Sequence, residues 1–258
     1  MRYSSHQANA DGFRSAELRV NGSRGFGYAE ELAFHVGRRT RMINTSRERT
    51  VFVAVLVIAV ASGMVAQSIG ISPAEQKEGF QPLFDGQTLK GWTPRPPPAG
   101  RDATAPPAMA KWAASNGEIA WVPDTGRGYL VSEPTFTNFD LRVDFFSDAK
   151  ANTGVNIGIP DTGDISSATS FEVNIFDNTQ GYPTGSINNV VRTSTPKPST
   201  VDKWNSLEIV RQGDHITVKL NGDTVVDTTS GLHPVGHIGL QAPAEGVTKF
   251  RNLRIKPL

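Results

Sequence analysis

The chain has 258 residues, 38% hydrophobic and 20% charged, with mean hydropathy −0.30, so neither a wholly disordered chain nor a multi-span membrane protein fits. A formal net charge of +1 offers no basic surface for nucleic acid, whose binding rests on clustered Lys and Arg. The absence of Cys excludes disulfides, thiolate metal sites, thiol nucleophiles and a lipidated Cys.

Residues 1–41 carry seven Arg, no Lys and no apolar period, and read as a mis-assigned or disordered N-terminal extension. A secretory signal is expected over 42–66. Met42 opens it, Arg47 and Arg49 supply the basic region, Val51 to Val60 run without a polar residue, and Ala61-Ser62-Gly63 and Val65-Ala66 are small exit residues. The apolar stretch is short of the ~20 residues a membrane span needs, so a membrane enters only through an uncleaved signal. Export to the periplasm or beyond is the expectation. Without the first 66 residues, 17 basic and 20 acidic residues remain, a slightly acidic exported part.

Residues 67–79 read as a polar linker, and 80–258 as one domain built of short strands. Apolar residues recur there at period two, the mark of strands with one buried face. Phe139, Leu141, Val143 and Phe145 alternate with Asp140, Arg142 and Asp144; Val155, Ile157 and Ile159 follow suit, as do Leu207 with Ile209, Ile216 with Val218 and Leu220, and Ile238 with Leu240. Asn221-Gly222 between Ile216–Leu220 and Thr224–Val226 predicts a hairpin with a type I′ turn. Prolines from Pro94 to Pro107 predict a surface loop, because proline lacks the amide donor. No stretch of a dozen residues after the leader carries a helical stripe with capping signals, which disfavours a βαβ fold. Two packed antiparallel sheets remain, with the strand-like Phe250 to Ile255 pairing near the start of the domain so as not to leave an exposed edge.

The densest polar group on a predicted strand is Phe171 to Asn178. Alternation puts Glu172 and Asn174 on one face, and a bulge at Ile175-Phe176 would bring Asp177 round to join them. Two carboxyls flanking a sugar bond are the usual apparatus of glycosidases, about 5–5.5 Å apart for retention and about 6.5–9.5 Å for inversion. A solvated outer face followed by an Asp-Asn turn accounts for the same residues without chemistry. Asn152-Thr153-Gly154 could offer an amide to a sugar hydroxyl or form an ordinary turn. Trp92, Trp112, Trp121 and Trp204 suit a sandwich core more readily than sugar stacking. His215, His233 and His237 lack metal-ligand spacing and are expected on the surface or in loops. Asp161 and Asp164 are hard-oxygen candidates for Ca²⁺, although not at EF-hand spacing. G-x-S-x-G, Walker-type and G-x-G-x-x-G motifs are absent, which removes serine hydrolase, NTPase and dinucleotide functions.

Leu83-Phe84-Asp85-Gly86 with Leu89 and Gly91-Trp92 resembles the opening of the 3-keto-disaccharide hydrolase domain family. The resemblance continues through Phe139-Asp140-Leu141, Asn152-Thr153-Gly154-Val155, Phe171 to Asn178, Lys197-Pro198, Trp204-Asn205, Leu220-Asn221-Gly222, Gly239-Leu240-Gln241 and Phe250 to Ile255. It implies an exported, all-β, concanavalin A-like jelly-roll sandwich related to laminarinase-type glucanases, acting on oxidised sugars. It also implies polar site positions at Glu172, Asn152, Asp177, Lys197 and Gln241. The chain departs from the family pattern at Ala242-Pro243, where many members carry His-Gly after Leu-Gln, and at Gly158-Ile159-Pro160, where many carry an Arg.

The resemblance points to cleavage of a 3-keto-glycoside, in which the ketone acidifies the proton at C2. Glu172 is the expected principal acid/base, helped by burial that raises its pKa. Asp177 is the second catalytic candidate; Asn152, Asn174, Lys197 and Gln241 are the expected substrate-binding residues. A divalent metal ion could polarise the ketone in place of a hydrogen bond, with its ligands left open. Two alternatives stand beside this: a retaining glycosidase, because Glu172, Asn174 and Asp177 have the spacing of the laminarinase E-x-D-x-x-E strand, and a non-catalytic carbohydrate-binding module.

Overall fold

Period-two patterning carries through into thirteen strands in a computed structural model that describes residues 70–98, 108–177 and 180–258. The extension 1–41, the signal 42–66 and much of the proline-rich loop lie outside the described residues. The strands are β1 (Gln81–Pro82), β2 (Trp92–Arg95), β3 (Trp112–Ser115), β4 (Glu118–Trp121), β5 (Gly128–Phe136), β6 (Phe139–Ser147) and β7 (Thr153–Ile159). They continue as β8 (Phe171–Ile175), β9 (Trp204–Gln212), β10 (His215–Leu220), β11 (Asp223–Thr229), β12 (Gly236–Ala242) and β13 (Thr248–Pro257).

They form two antiparallel sheets. One runs β11-β10-β9-β6-β13-β4-β3, with β1 added to β13; the other runs β2-β5-β12-β7-β8. The terminal strand is therefore interior, paired with β6 and β4, and the start of the domain pairs with it at Gln81 and Ile255. The Asn221-Gly222 hairpin forms as expected, with φ of 52° and 92° at the turn and Leu220 facing Asp223. Pro94 sits inside β2, an edge strand, where a missing amide donor is tolerated.

Between the sheets lie Leu141, Val143 and Phe145 of β6, Leu207 and Ile209 of β9, Val155 and Ile157 of β7, Val173 and Ile175 of β8, and Ile238 and Leu240 of β12, with Trp92, Trp112 and Trp121. Each fully buried Val, Leu, Ile or Phe contributes about 1.5–3 kcal/mol.

Two expectations are corrected. The stretch 67–79 is not all linker: α1 (Pro73–Lys77) forms, started by a capping box in which Ser72 and Glu75 satisfy each other's backbone amides. Ser-Pro-Ala-Glu carries that signal in the sequence. The alternation of Val155, Ile157 and Ile159 also breaks at Gly158, whose φ of 73° accompanies a register shift between β7 and β12. Ile159 is turned to the outer face of the five-stranded sheet, where it packs in a small cluster with Tyr129, Val131 and Ile165.

Candidate active site

The outer face of the five-stranded sheet carries the site. Core residues alternate along its strands, so Tyr129 of β5, Gln241 of β12, Gly154 and Asn156 of β7, and Glu172 and Asn174 of β8 point away from the other sheet. Tyr129 stands opposite Gln241, Gly154 opposite Asn174, and Asn156 opposite Glu172. The Thr153 hydroxyl donates to the Gln241 carbonyl and ties β12 to β7.

Glu172 and Gln241 meet across an intervening strand because β7 presents a glycine between them. A Cβ at Gly154 would come within 3 Å of the Glu172 side chain, which lies over the glycine. The Gln241 Nε2 donates to Glu172 Oε2 at 3.1 Å. Asn188, in the segment after β8, donates its backbone amide to the Glu172 carbonyl at 3.0 Å, and its side-chain amide lies near enough to the carboxyl to favour the charged form. Burial pushes the carboxyl up to about 7, against the lowering effect of the Asn188 and Gln241 side-chain amides. A carboxyl with that pKa can both accept and return a proton near neutral pH.

The other expected site residues are placed differently. Asp177 does not come round to Glu172: β8 pairs with β7 in regular register and ends at Ile175, without the expected bulge. The Asp177 carboxylate instead anchors the segment that follows. Oδ1 accepts from the hydroxyls of Thr184 at 2.6 Å and Thr200 at 2.7 Å; Oδ2 accepts from the Ser199 hydroxyl at 2.7 Å and the Thr200 amide at 2.6 Å. Burial works to raise this carboxyl, but the bonds from Thr184, Thr200 and Ser199 outweigh it and hold it below the usual range. Asn174 is buried, with its amide donating to the Tyr182 carbonyl. Asn152 is exposed in the turn before β7. Lys197 is exposed on the rim of a separate cleft of about 620 Å³, between residues 192–198 and the β10–β11 turn. Of the six, the structure brings together Glu172 and Gln241.

Two partners of this pair escaped the sequence reading, Asn188 and Tyr129. Tyr129 is the cross-strand neighbour of Gln241 and is buried, its hydroxyl donating to the Ile165 carbonyl at 3.4 Å.

The aromatic and histidine expectations resolve simply. Trp92, Trp112 and Trp121 are core, and Trp204 is half-buried with the Arg251 guanidinium 3.9 Å from its ring centroid. His215 pairs with Asp227 at 2.6 Å on the surface, and His233 lies in a loop against Phe171. His237 is not in a loop: it belongs to β12, with its Nε2 2.9 Å from Asp161. Asp161, one of the two calcium candidates, is thus engaged by a histidine. Among the described residues no group of three or more His, Asp or Glu is placed to hold a metal ion.

The model of the 3-keto-alpha-glucoside-1,2-lyase-like domain family matches residues 79–256. No curated protein matches the chain. Two solved structures from Parabacteroides distasonis ATCC 8503, each described as a "putative glycosyl hydrolase", share the fold. One is 19% identical with a TM-score of 0.59, covering 73% of this chain and 98% of its own. The other is 24% identical with a TM-score of 0.56, covering 69% of this chain and 99% of its own.

Proposed function

The chain belongs to the 3-keto-alpha-glucoside-1,2-lyase-like domain family, and from that premise we propose that it is an exported enzyme cleaving 3-keto-glycosides, with Glu172 as the acid/base. The observation that supports this most directly is the half-buried Glu172 carboxyl, held by the Gln241 amide on the outer face of the five-stranded sheet with a pKa of about 7. The 3-keto group makes the C2 proton acidic. The Glu172 carboxylate takes that proton, the C2–H electron pair moves towards the ketone as an enolate, and its collapse expels the C1 oxygen with its aglycone. Protonated Glu172 returns a proton to the departing oxygen. Water then adds across C1 and C2, so that glycoside and water give a free 3-keto sugar and an alcohol. Burial serves this step by matching the carboxyl to proton transfer at neutral pH.

A retaining glycosidase would need a second free carboxyl beside the first. Asp177 has both oxygens committed to Thr184, Ser199 and Thr200, which favours the one-base mechanism.

The test is to incubate the protein and its Glu172→Gln variant with a 3-keto-disaccharide and with the unoxidised sugar. Cleavage of the keto sugar alone, lost in the variant, is expected. Cleavage of both sugars would point to an ordinary glycosidase, and binding without turnover to a carbohydrate-binding module; either overturns the proposal.

A further inference from the structure

Gln241 has one amide group, and which end of it faces Glu172 decides whether the carboxylate is favoured or opposed. The NH₂ end donates to a carboxylate; the carbonyl end would repel it and accept from the protonated acid instead. The two ends are nearly equal in shape, so the choice must come from another contact.

Tyr129 supplies one. It stands opposite Gln241 in the β5–β12 register, on the same outer face, and is 8% exposed, with its phenol near enough to the Gln241 amide for that amide to favour the phenolate. Its single hydroxyl proton is directed to the Ile165 carbonyl at 3.4 Å. The phenol oxygen is left facing Gln241 as an acceptor, which only the NH₂ end can satisfy. The NH₂ end donates to Glu172 Oε2 at 3.1 Å, which leaves its second hydrogen for the phenol oxygen of its cross-strand neighbour. We infer that Tyr129 is a positioning residue, fixing the Gln241 amide with its donor end towards Glu172.

The inference rests on Glu172 being the acid/base of the site. The groups facing the carboxyl are Gly154 and Asn156 from β7, Gln241 from β12 and Asn188 from the segment after β8. Tyr129 stands behind Gln241 on β5, and the positive charge of Arg127 acts on the phenol. Burial raises the Tyr129 pKa, with the Gln241 amide opposing and the Glu172 charge adding to it. The phenol therefore stays protonated through the range in which Glu172 titrates, and its orienting effect is constant there.

The experiment is a carboxyl titration by NMR on protein carrying ¹³C-labelled glutamate, with Glu172→Gln used to assign the Glu172 signal. In Tyr129→Phe the amide loses its acceptor and is free to turn, so the Glu172 pKa is expected to rise by about 0.5–1 unit. Gln241→Leu is expected to abolish the further effect of Tyr129→Phe, because both act through the same amide. An unchanged pKa in Tyr129→Phe, or additive effects in the double variant, would overturn the inference. If Tyr129→Phe does not fold, the native protein still decides. The Gln241 side-chain amide protons are expected to exchange slowly with solvent, and fast exchange would count against the orientation. The titration needs no substrate, so loss of the cleavage proposal and loss of the Tyr129 role are separately visible.

Discussion

A methyl group added to Gly154 would stand 2.8 Å from Cγ of Glu172 and 3.0 Å from its Oε1. The missing side chain of one residue is thus the space that the catalytic candidate occupies, and it is what lets a residue of β8 reach a partner on β12 across the strand between.

Gly154→Ala tests that relationship. The glycine backbone suits any residue, so the cost is steric: the new methyl also meets the Val173 carbonyl at 2.9 Å. The variant is expected to lose about 1–3 kcal/mol of stability and, through displacement of the carboxyl by a fraction of an ångström to 1 Å, up to about 10²-fold in kcat/KM. Thermal unfolding and kinetics on a 3-keto-glycoside measure both. An unaltered kcat/KM in a folded variant would show that the placement of Glu172 over Gly154 is not used.

The pH dependence follows from the Glu172 pKa of about 7. The base form grows as pH rises, so kcat/KM is expected to climb about tenfold per unit below pH 7 and level off above it. Stability moves the other way. Because the folded pKa lies above the ordinary value of 4.5, the folded state binds the proton more tightly than the unfolded chain. That contribution is complete below about pH 4.5 and is lost as pH rises through 7. The loss is at most about 3 kcal/mol, less in proportion to the partial exposure of the carboxyl. Chemical denaturation of wild type and Glu172→Gln across pH 4–8 checks the sign: the variant is expected to lack this slope.

Asp177→Asn is expected to act on structure. An amide can accept from only one of its two ends, so at least one of the bonds at Oδ1 and Oδ2 from Thr184, Ser199 and Thr200 is lost. Hydrogen bonds to a charged acceptor carry about 1.5–3 kcal/mol each, and a destabilisation of that order is expected in urea melts. Activity is expected to fall only so far as the segment bearing Asn188 loosens. Abolished turnover in a variant of native stability would restore Asp177 as a catalytic group.

These outcomes bear on how much of the molecule is legible in its residues. Strand alternation and the Asn221-Gly222 turn are local signals, and both sheets could be anticipated from them. Ile159 was misassigned because one positive φ at Gly158 inverts the alternation, and a period count cannot detect a single bulge. Asp177 and Glu172 look like a pair in sequence because they lie five positions apart, yet the strand ends between them. Tyr129 has the opposite problem. It is 112 positions from Gln241 and reads as one more aromatic strand residue, so only the β5–β12 pairing discloses it. Asn188 lies in a segment with no period, and its closeness to Glu172 depends on how that segment folds back.

The remaining prediction concerns the opposite face of the sandwich, where α1 is fastened to the eight-stranded sheet by one carboxylate. Glu75 Oε1 accepts from Arg254 at 2.7 Å and from Arg142 at 3.3 Å, while Oε2 accepts from the Ser72 amide and hydroxyl at 3.0 and 2.9 Å. Burial opposes the charge, but the bonds from Ser72 and Arg254 bring the Glu75 pKa down to about 2. A lowered folded pKa gives stability that is present above about pH 4.5 and lost as pH falls towards 2. Glu75→Gln keeps the shape and removes the charge. It is expected to cost about 1–3 kcal/mol at pH 7, with the difference from wild type closing between pH 4.5 and 2. Urea midpoints at pH 7 and pH 2.5 measure it, and an equal gap at both would show that the Glu75 charge does not secure α1.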